Sequence, residues 1–256
     1  MEINLTEGKK VFFASDLHLG VPNKTESLLR EKKFVRWLDY IKAEAEVLFI
    51  LGDLFDFWFE YKNVVPKGFT RLLGKISELS DLGIEVIFFT GNHDMWMFGY
   101  FEAELNIKII RQPKAFTISQ KRFYIAHGDG LGPGDKGYKL LKKIFTNRLC
   151  QKAFAAMPPA WGFFLAQYFS GKSREVNQIK DIHFLGEDKE WLIIHSKEVL
   201  AKTHFDYFIY GHRHLPMKLS LTDNSAYVNL GDWIANFSYA VWDGKEIELK
   251  VFTEAS

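Results

Sequence analysis

The chain has 256 residues, enough for one large domain or for a domain that carries a sizeable insertion. Its hydrophobic fraction of 47% and aromatic fraction of 16% exclude an intrinsically disordered chain. Because 33 basic residues balance 32 acidic ones, the composition also excludes a bulk polyelectrolyte, so any electrostatic preference must come from local clusters of charge.

Three features of the sequence bear on the cellular compartment. The single cysteine, Cys150, excludes an internal disulfide and suits a reducing compartment. The N-terminal residues MEINLTEGKK lack the basic start and apolar block of a signal peptide. No apolar run approaches the roughly 20 residues needed to span a bilayer. We therefore expect a cytoplasmic protein, either soluble or peripherally associated with a membrane.

The first 130 residues alternate between apolar runs and amphipathic segments. Three apolar runs predict strands, namely KVFFASDLHLG, VLFILGDLFDF and EVIFFTGNHD. Two segments with helical periodicity lie between them, SLLREKKFVRWLDYIKAEA and FTRLLGKISELSDLG, the second closed by Gly83. Apolar runs alternating with helices predict a mainly parallel sheet covered on both faces, and hence an α/β fold.

Residues 135–185 differ from the segments on either side. Between Lys136 and Lys180 there are nine basic residues and one acidic residue, Glu175. Apolar residues recur three and four apart on each side of a Pro-Pro pair, which cannot continue the first of two predicted helices. One interpretation is a helical hairpin packed on the core with a solvated basic face. The other is a lid that offers apolar surface and positive charge to an amphiphilic anionic ligand or to a membrane surface.

Over residues 210–252 the chain returns to short strands. The segments YFIYGHRH, MKLSL, AYVNLGD, SYAVWDG and IELKVF are separated by turn residues and predict five strands. We therefore expect a single domain over residues 1–256, with residues 135–185 inserted as a basic, aromatic helical lid.

Five clusters of polar side chains each stand where an apolar run ends: SDLHLG, LGDLFD, TGNHD, AHGD and GHRH. In open α/β sheets the ligand crevice lies outside the carboxyl ends of the strands, so the five clusters should converge on one site. Carboxylate and amide oxygens mixed with imidazoles suit a divalent ion such as Mn, Fe or Zn. Taken singly, each residue has an ordinary structural explanation as a cap or a turn residue, and only the ordered set is specific.

The ordered blocks D-x-H, G-D, G-N-H-D, H-G-D and G-H-x-H resemble the signature of the calcineurin-like metallophosphoesterases. The resemblance implies an αββα sandwich and a two-metal hydrolase in which a metal-bridging hydroxide attacks phosphorus. It implies two divalent metal ions, with Mn²⁺ expected and Fe, Zn or Mg as alternatives. The implied ligands are Asp16, His18 and His214 for one metal, Asn92, His127 and His212 for the other, and Asp53 as the bridge.

Within this family the chain resembles the UDP-2,3-diacylglucosamine diphosphatases of bacterial lipid A biosynthesis. The likeness rests on HGDGLGPGDKGYKLLKK, SGKSREVNQIK and the first two blocks, and covers most of residues 10–235. It implies cleavage of a UDP-linked diacyl sugar to UMP and 2,3-diacylglucosamine 1-phosphate, at the surface of the anionic inner membrane. The implied substrate-binding residues are Asn92, Asp135, Tyr138, Ser173, Asn177, Lys180 and His212. Ser173, Asn177 and Lys180 also have the spacing of one helical face.

Two acyl chains require an apolar chamber, and five lid residues are candidates for its lining. They are Phe145, Leu149, Trp161, Phe164 and Tyr168. Ordinary packing between two lid helices is the alternative explanation for the same pattern.

The third block departs from the best-known members of this branch, which have G-N-R-D where this chain has G-N-H-D. His93 thus replaces an Arg that would give bidentate phosphate contact. A histidine can protonate the leaving oxygen or donate a hydrogen bond to the transition state, which makes His93 the candidate catalytic residue. A phosphate leaving group needs little protonation, so electrostatic help is the favoured role. We expect Asp94 to orient His93 or to cap a following helix.

Other functions were weighed against this one. A general metal-dependent phosphodiesterase or nucleotide phosphatase of the same family fits the G-N-H-D block, although small soluble substrates need no apolar lid. A binding module without catalysis should lack some metal ligands, and all seven positions are filled. Nucleic-acid binding is not expected, because the lid aromatics follow helical core spacing. No obligate protein partner is inferred.

Overall fold

Residues 1–134, 136–165 and 183–254 are described by a computed structural model of the chain. Its described strands form two six-stranded sheets. In chain order they are β1 (Glu2–Ile3), β2 (Lys10–Ala14), β3 (Ala45–Leu51), β4 (Glu85–Phe89), β5 (Lys108–Ile110), β6 (Lys114–Ile118), β7 (Lys121–Ala126), β8 (Tyr207–Tyr210), β9 (Met217–Thr222), β10 (Ser225–Asn229), β11 (Ser238–Trp242) and β12 (Ile247–Val251). The helices are α1 (Lys24–Ile41), α2 (Thr70–Asp81), α3 (Tyr100–Leu105), α4 (Lys136–Phe145), α5 (Arg148–Ala155), α6 (159–165) and α7 (Trp191–Leu200).

The first sheet has the strand order β12-β11-β2-β3-β4-β5. Strands β2 to β5 are parallel, whereas β11 and β12 are antiparallel to their neighbours. The three predicted strands of the N-terminal part are therefore neighbours in one sheet. Their runs are almost continuously apolar because both faces of a parallel sheet are covered, and in β3 every residue from Val47 to Leu51 is buried.

The second sheet has the order β1-β6-β7-β8-β10-β9 and mixes parallel and antiparallel pairs. Its central strands β7 and β8 are parallel, with Ala126 opposite Tyr210 at their carboxyl ends. Two of its strands, β1 and β6, were not among the predicted segments. The apolar alternation of β6 is short, and only Phe116 and Ile118 of its five residues are buried.

Three apolar clusters hold the layers together. One lies between the two sheets and includes Phe13, Phe49 and Ile209. A second packs α1, α2 and α3 on the outer face of the first sheet, and a third packs α7 on the outer face of the second. The order helix, sheet, sheet, helix is the αββα sandwich, so the expected fold class is confirmed. The second sheet covers one face of the first sheet, and helices cover the other face.

Two helix boundaries have clear local causes, and the second of them was predicted. Asn23 caps α1, because its side-chain oxygen accepts a hydrogen bond from the backbone N–H of Glu26 at 3.0 Å while its amide donates to the Glu26 carboxylate at 2.8 Å. Gly83 follows the end of α2 with a φ of +84°, and its N–H donates to the carbonyl of Ser80 at 2.9 Å. Glycine adopts this left-handed conformation without strain, so the predicted stop is confirmed.

The lid helices differ from the other helices because they bury little. No side chain of α4 or α5 is buried. The indole N–H of Trp96 donates to the carbonyl of Phe145 at 2.8 Å, and Lys142 pairs with the Asp129 carboxylate at 2.6 Å. The lid also packs on the sandwich through aromatic rings, with Phe154 4.7 Å from Phe59 and 5.1 Å from Trp96 between ring centroids. It is thus held by polar contacts and by partly exposed aromatic packing rather than by a fully buried core. No helix in the described ranges is both long enough and apolar enough to cross a bilayer.

Candidate metal centre

The polar residues that follow β2, β3, β4, β7 and β8 lie against one another where the two sheets meet. Asp53, which follows β3 of the first sheet, has its Oδ2 atom 3.4 Å from Nε2 of His127, which follows β7 of the second. Asp16, after β2, has Oδ1 3.4 Å from Nε2 of His214, after β8. Residues far apart in the sequence are therefore brought into one site by the pairing of the sheets.

The first ligand set consists of Asp16, His18 and His214, whose ligand atoms lie within 4.8 Å of one another. The Asp16 Oδ1 atom is 3.8 Å from His18 Nε2 and 3.4 Å from His214 Nε2. Atoms bound to one ion at about 2.1 Å are about 3.0–3.6 Å apart at ordinary ligand angles. The observed spacing is therefore close to that of a divalent cation site.

The second set consists of Asp53, His127 and His212, also within 4.8 Å of one another. The Nδ1–H of His127 donates to the carbonyl of Leu51 at 2.6 Å, so Nε2 of the neutral ring is an acceptor. This Nε2 faces the Asn92 amide oxygen at 3.2 Å and Asp53 Oδ2 at 3.4 Å. Three acceptors around one point repel one another unless a cation lies between them.

Asp53 lies between the two sets. The same oxygen, Oδ2, is 3.6 Å from Nε2 of His18 and 3.4 Å from Nε2 of His127. The other oxygen, Oδ1, accepts a hydrogen bond from the backbone N–H of His93 at 2.9 Å, which fixes the orientation of the carboxylate. This is the position that a bridging carboxylate occupies.

Three imidazoles of the site share one arrangement, in which Nε2 faces the centre and Nδ1 faces an outer oxygen. The outer partner of His127 is the carbonyl of Leu51 at 2.6 Å. For His18 it is Asp56 Oδ1 at 3.6 Å, and for His214 it is Asp232 Oδ2 at 3.7 Å. Outer carboxylates and carbonyls of this kind set the tautomer and the ring direction of metal-binding histidines.

Asp56 and Asp232 are candidate outer residues of the site that the sequence analysis missed. Asp56 is three residues after Asp53 in LGDLFD, and Asp232 ends the segment AYVNLGD, which repeats the Leu-Gly-Asp of the second block. That repetition was the available signal for Asp232. His18, Asp56 and His93 form a third group with cation-like spacing. Because Nδ1 of His18 faces Asp56, we interpret this group as the contacts that orient the His18 ring.

Burial of the carboxylates also fits a bound cation. Asp16 and Asp53 are at most 2% exposed, and burying an unpaired carboxylate costs several kcal/mol. Asp16 Oδ1 and His18 Nε2 are buried and accept or donate no hydrogen bond within the described part of the chain. Both atoms point into the first ligand set. The donor set of carboxylate, amide and imidazole suits a divalent transition ion.

Without a metal, protons supply the balancing charge. Burial opposes protonation of His18, but its contacts with Asp16 and Asp56 and the charge of Asp53 raise its pKa to about 10. Burial opposes protonation of His127 in the same way, yet the charge of Asp53 raises its pKa to about 10. Burial alone would raise the pKa of Asp53, and the charge of His127 instead holds that pKa well below its usual range.

Several ligand residues have an uncommon backbone conformation. Asp16, His18, Asp53 and His212 have φ values of 57°, 44°, 52° and 63°. Non-glycine residues with such φ values cost about 1–3 kcal/mol each and cluster at functional sites. Gly91 permits the close approach of the second and third blocks, because a Cβ atom there would lie 2.2 Å from Asp53 Oδ1.

Asp94 has a different role from the one expected. Its Oδ1 accepts a hydrogen bond from the N–H of Gly91 at 2.8 Å, and its Oδ2 accepts one from the N–H of Leu54 at 2.8 Å. Helix α3 begins only at Tyr100. The expectation that Asp94 orients His93 or caps a helix is therefore wrong. Asp94 ties the loop of the second block to the turn of the third, and burial with the charge of Asp53 raises its pKa to about 7.

The calcineurin-like phosphoesterase family profile matches residues 9–216 of this chain. The chain belongs to the calcineurin-like phosphoesterase family. Such a phosphoesterase is a metal-dependent hydrolase, so the family implies divalent metal ions and agrees with the His and Asp groups described above.

Named relatives of this phosphoesterase align with most of its length. It is 40% identical over 253 residues to the UDP-2,3-diacylglucosamine hydrolase of Porphyromonas gingivalis, covering 94% of this chain and 97% of that protein. It is 29% identical over 206 residues to the enzyme of the same name from Hamiltonella defensa, covering 80% and 76%. Among solved structures, zinc-bound Vps29 from Entamoeba histolytica aligns with a TM-score of 0.42 at 12% identity, covering 94% of this chain and 89% of that one.

Next to the metal centre of the phosphoesterase is an apolar cavity of about 530 Å³. The sandwich contributes Asp56, Phe57, Asn92, His93, Met95 and Trp96 to its lining. The lid contributes Tyr138, Leu141, Ile144, Phe145, Cys150, Gln151, Phe154 and Leu165. Among the candidate chamber residues, Phe145 lines this cavity. Leu149, Trp161 and Phe164 lie outside its lining and are 75%, 67% and 68% exposed.

His93 lies where the cavity meets the metal ligands. Its Nδ1–H donates to the carbonyl of Asp56 at 2.9 Å, and its ring packs edge-on against His18 with centroids 4.7 Å apart. Burial lowers the pKa of His93. Tyr138 donates a hydrogen bond to Asp129. The other expected substrate contacts, Asp135, Ser173, Asn177 and Lys180, and the chamber candidate Tyr168 fall outside the described residues.

Proposed function

We propose that this phosphoesterase hydrolyses the diphosphate of UDP-2,3-diacylglucosamine and releases UMP and 2,3-diacylglucosamine 1-phosphate. The observation that carries the proposal is the apolar cavity of about 530 Å³ that begins at Asn92 and His93. A substrate with a diphosphate head and two acyl chains needs such a cavity beside a cationic centre. The 40% identity to a hydrolase of that name over 94% of the chain supports the same choice.

In this proposal Asp16, His18 and His214 hold one metal ion, Asn92, His127 and His212 hold the other, and Asp53 bridges them. Mn²⁺ is the proposed native ion, since mixed oxygen and imidazole ligands suit it. When bound, the pair of ions supplies Lewis-acid activation of the phosphoryl group and of water. Asp56, Asp232 and the Leu51 carbonyl keep the three imidazoles turned toward the centre.

His93 is the proposed transition-state partner. With Nδ1–H donated to the Asp56 carbonyl, the ring is held at the mouth of the cavity beside Asn92. Asn92 and His212 would also contact the phosphoryl group, and Tyr138 the sugar. Because UMP and a sugar phosphate both leave as stabilised anions, His93 acts by electrostatic contact rather than as an obligatory acid.

The lid is proposed to collect substrate at an anionic membrane surface. Leu149, Trp161 and Phe164 are at least 67% exposed, and Arg148 and Lys152 lie on α5 together with Leu149. Exposed apolar side chains next to cations favour adsorption to anionic lipid. The rest of the predicted lid, with Asp135, Tyr168, Ser173, Asn177 and Lys180, belongs to this proposal through the family resemblance.

The test compares UDP-2,3-diacylglucosamine with a small aryl phosphodiester, both in detergent with Mn²⁺. Leu141→Ser changes a residue that lines the cavity, and Leu140→Ser makes the same change at the next residue, which does not. We expect Leu141→Ser to lower kcat/KM for the lipid substrate by about tenfold or more, the usual cost of a damaged apolar pocket, and to spare the aryl ester. Leu140→Ser should spare both.

The alternative function, a general phosphodiesterase or nucleotide phosphatase, gives different results. A purified, Mn²⁺-loaded enzyme that turns over nucleotides quickly and ignores the lipid substrate would overturn the proposal. Equal effects of Leu140→Ser and Leu141→Ser would contradict the role of the apolar cavity in binding the lipid substrate.

A further inference from the structure

A second cavity, of about 460 Å³, lies on the other side of α4 and has a different lining. Four cationic side chains border it: Arg111, Lys139, Lys142 and Lys143. Thr90, Gln112 and Thr146 add neutral hydrogen-bonding groups, and Asp129 is the one carboxylate in the lining. Its size falls in the range of small-molecule sites, about 300–1,000 Å³. Cationic and neutral polar side chains of this kind suit a polar anion as the ligand.

Each cavity has a lining residue at the metal centre. Asn92 lines the apolar cavity and His127 lines the basic one, and Asn92 Oδ1 is 3.2 Å from His127 Nε2. A molecule whose phosphates lie at the metal ligands can therefore extend into one cavity on each side. The proposed substrate has such a shape, with a diacyl sugar on one phosphate and a nucleoside on the other.

Helix α4 contributes to the lining of both cavities, with apolar and aromatic side chains on one face and basic side chains on another. Tyr138, Leu141 and Phe145 line the apolar cavity, whereas Lys139, Lys142 and Thr146 line the basic one. Spacings of three and four place each set on one face of a helix.

Asp129 contacts side chains from both of these sets on α4. It accepts a hydrogen bond from Tyr138 on one side and pairs with Lys142 at 2.6 Å on the other. Lys139 is also engaged, as a donor to the Gly132 carbonyl. The ammonium of Lys143 has no hydrogen bond or ion pair within the described residues, so it is a cation available to a ligand.

We propose that the basic cavity is the subsite for the UMP half of the substrate, with Lys143 as its anion-binding side chain and Thr90, Gln112 and Thr146 as polar partners of the nucleoside. Arg111 lines the same cavity but already donates to the Met97 carbonyl at 2.6 Å and lies 3.8 Å from the Glu102 carboxylate. This inference rests on the proposed function and adds the location of the nucleotide. It also explains why α4 is apolar on one face and basic on the other.

The experiment measures UMP binding to the full-length, Mn²⁺-loaded protein by calorimetry in the absence of lipid. Lys143→Glu reverses a charge in the cavity. Lys136→Glu makes the same change on the same helix at a residue that lines neither cavity. We expect Lys143→Glu to weaken UMP binding about tenfold, and Lys136→Glu to change it less than about twofold. Lys143→Glu should leave the affinity for 2,3-diacylglucosamine 1-phosphate unchanged.

Inorganic phosphate and uridine distinguish a nucleotide subsite from an anion site. Binding of UMP at least about tenfold tighter than phosphate, with uridine competing, supports the inference. Equal affinity for UMP and phosphate, or equal effects of the two substitutions, overturns it.

The same measurement separates this inference from the proposed function. Hydrolysis of UDP-2,3-diacylglucosamine with UMP binding indifferent to Lys143 would overturn the subsite alone. Lys143-dependent UMP binding without that hydrolysis would overturn the proposed function and retain a nucleotide site.

Discussion

The metal centre and the lid differ in how deeply their side chains are buried. At the centre Asp16, Asp53 and His127 are at most 2% exposed, and outer oxygens hold the imidazole rings in direction. In the lid no side chain of α4 or α5 is buried, and Trp161 is 67% exposed. Buried charges require fixed partners, whereas apolar side chains can remain exposed where a ligand covers them. The proposed chemistry thus lies in the buried part of the chain and the proposed recognition in the exposed part.

Asp53→Asn should have the largest effect, because it removes the one carboxylate shared by the two ligand sets. Replacing an outer partner of a metal ligand costs 10- to 100-fold, so loss of the shared ligand should lower turnover more than about 100-fold. Both the lipid substrate and an aryl phosphodiester should be affected, as kcat measurements will show. If the aryl ester is still hydrolysed at the wild-type rate, the bridging assignment is wrong.

Asp56→Asn tests the outer layer of the centre. It weakens the contact at 3.6 Å that turns His18 Nε2 inward and leaves the backbone hydrogen bond from His93 in place. We expect Mn²⁺ affinity to fall about 10- to 100-fold, measured by calorimetric titration of the chelated protein. Asp39→Asn, at an exposed ion pair with Lys75, is the matched control and should not change the affinity. Equal affinities for both variants would contradict the orienting role.

Metal removal should make stability depend on pH. The pKa values of His18 and His127 rise from 6.5 to about 10 in the metal-free fold. A raised pKa stabilises the fold fully below the unfolded value of 6.5 and loses that contribution as the pH rises toward 10. The Tm of chelated protein should therefore fall between pH 6.5 and about pH 9, while Mn²⁺-loaded protein should fall less, since metal replaces the protons. Parallel curves would contradict this balance.

Trp161→Ala should have the smallest effect on the fold and should act mainly on membrane binding. An exposed side chain contributes within about 0.5 kcal/mol to the free energy of unfolding, so the Tm should hardly change. Binding to vesicles that contain phosphatidylglycerol should weaken severalfold in a sedimentation assay. Tyr40→Ala is the control, because Tyr40 is also 67% exposed but lies on α1. If both variants bind vesicles like the wild type, the lid does not serve as the membrane surface.

The sequence alone was sufficient for the fold class and for the placement of the polar clusters. Apolar runs long enough for buried strands, alternating with amphipathic helices, predict an α/β fold with a mainly parallel sheet, whereas the αββα sandwich was implied by the family resemblance. A polar residue directly after a buried strand must lie at the edge of the sheet, which is why Asp53 and His127 could be named in advance. Asp16 and His214 are 198 positions apart and could be paired only through the family resemblance.

The tertiary structure decided what depends on approach between distant segments. Asp56 and Asp232 became visible as outer partners only when the loops were placed, because four ligand residues adopt left-handed φ values that local propensity disfavours. The helical period of the lid was readable, but not which face meets which cavity. That choice depends on contacts with the sandwich that fix the rotation of α4, such as Asp129 with Lys142 and Trp96 with Phe145. Short-range patterns set the elements, and long-range contacts set their orientation.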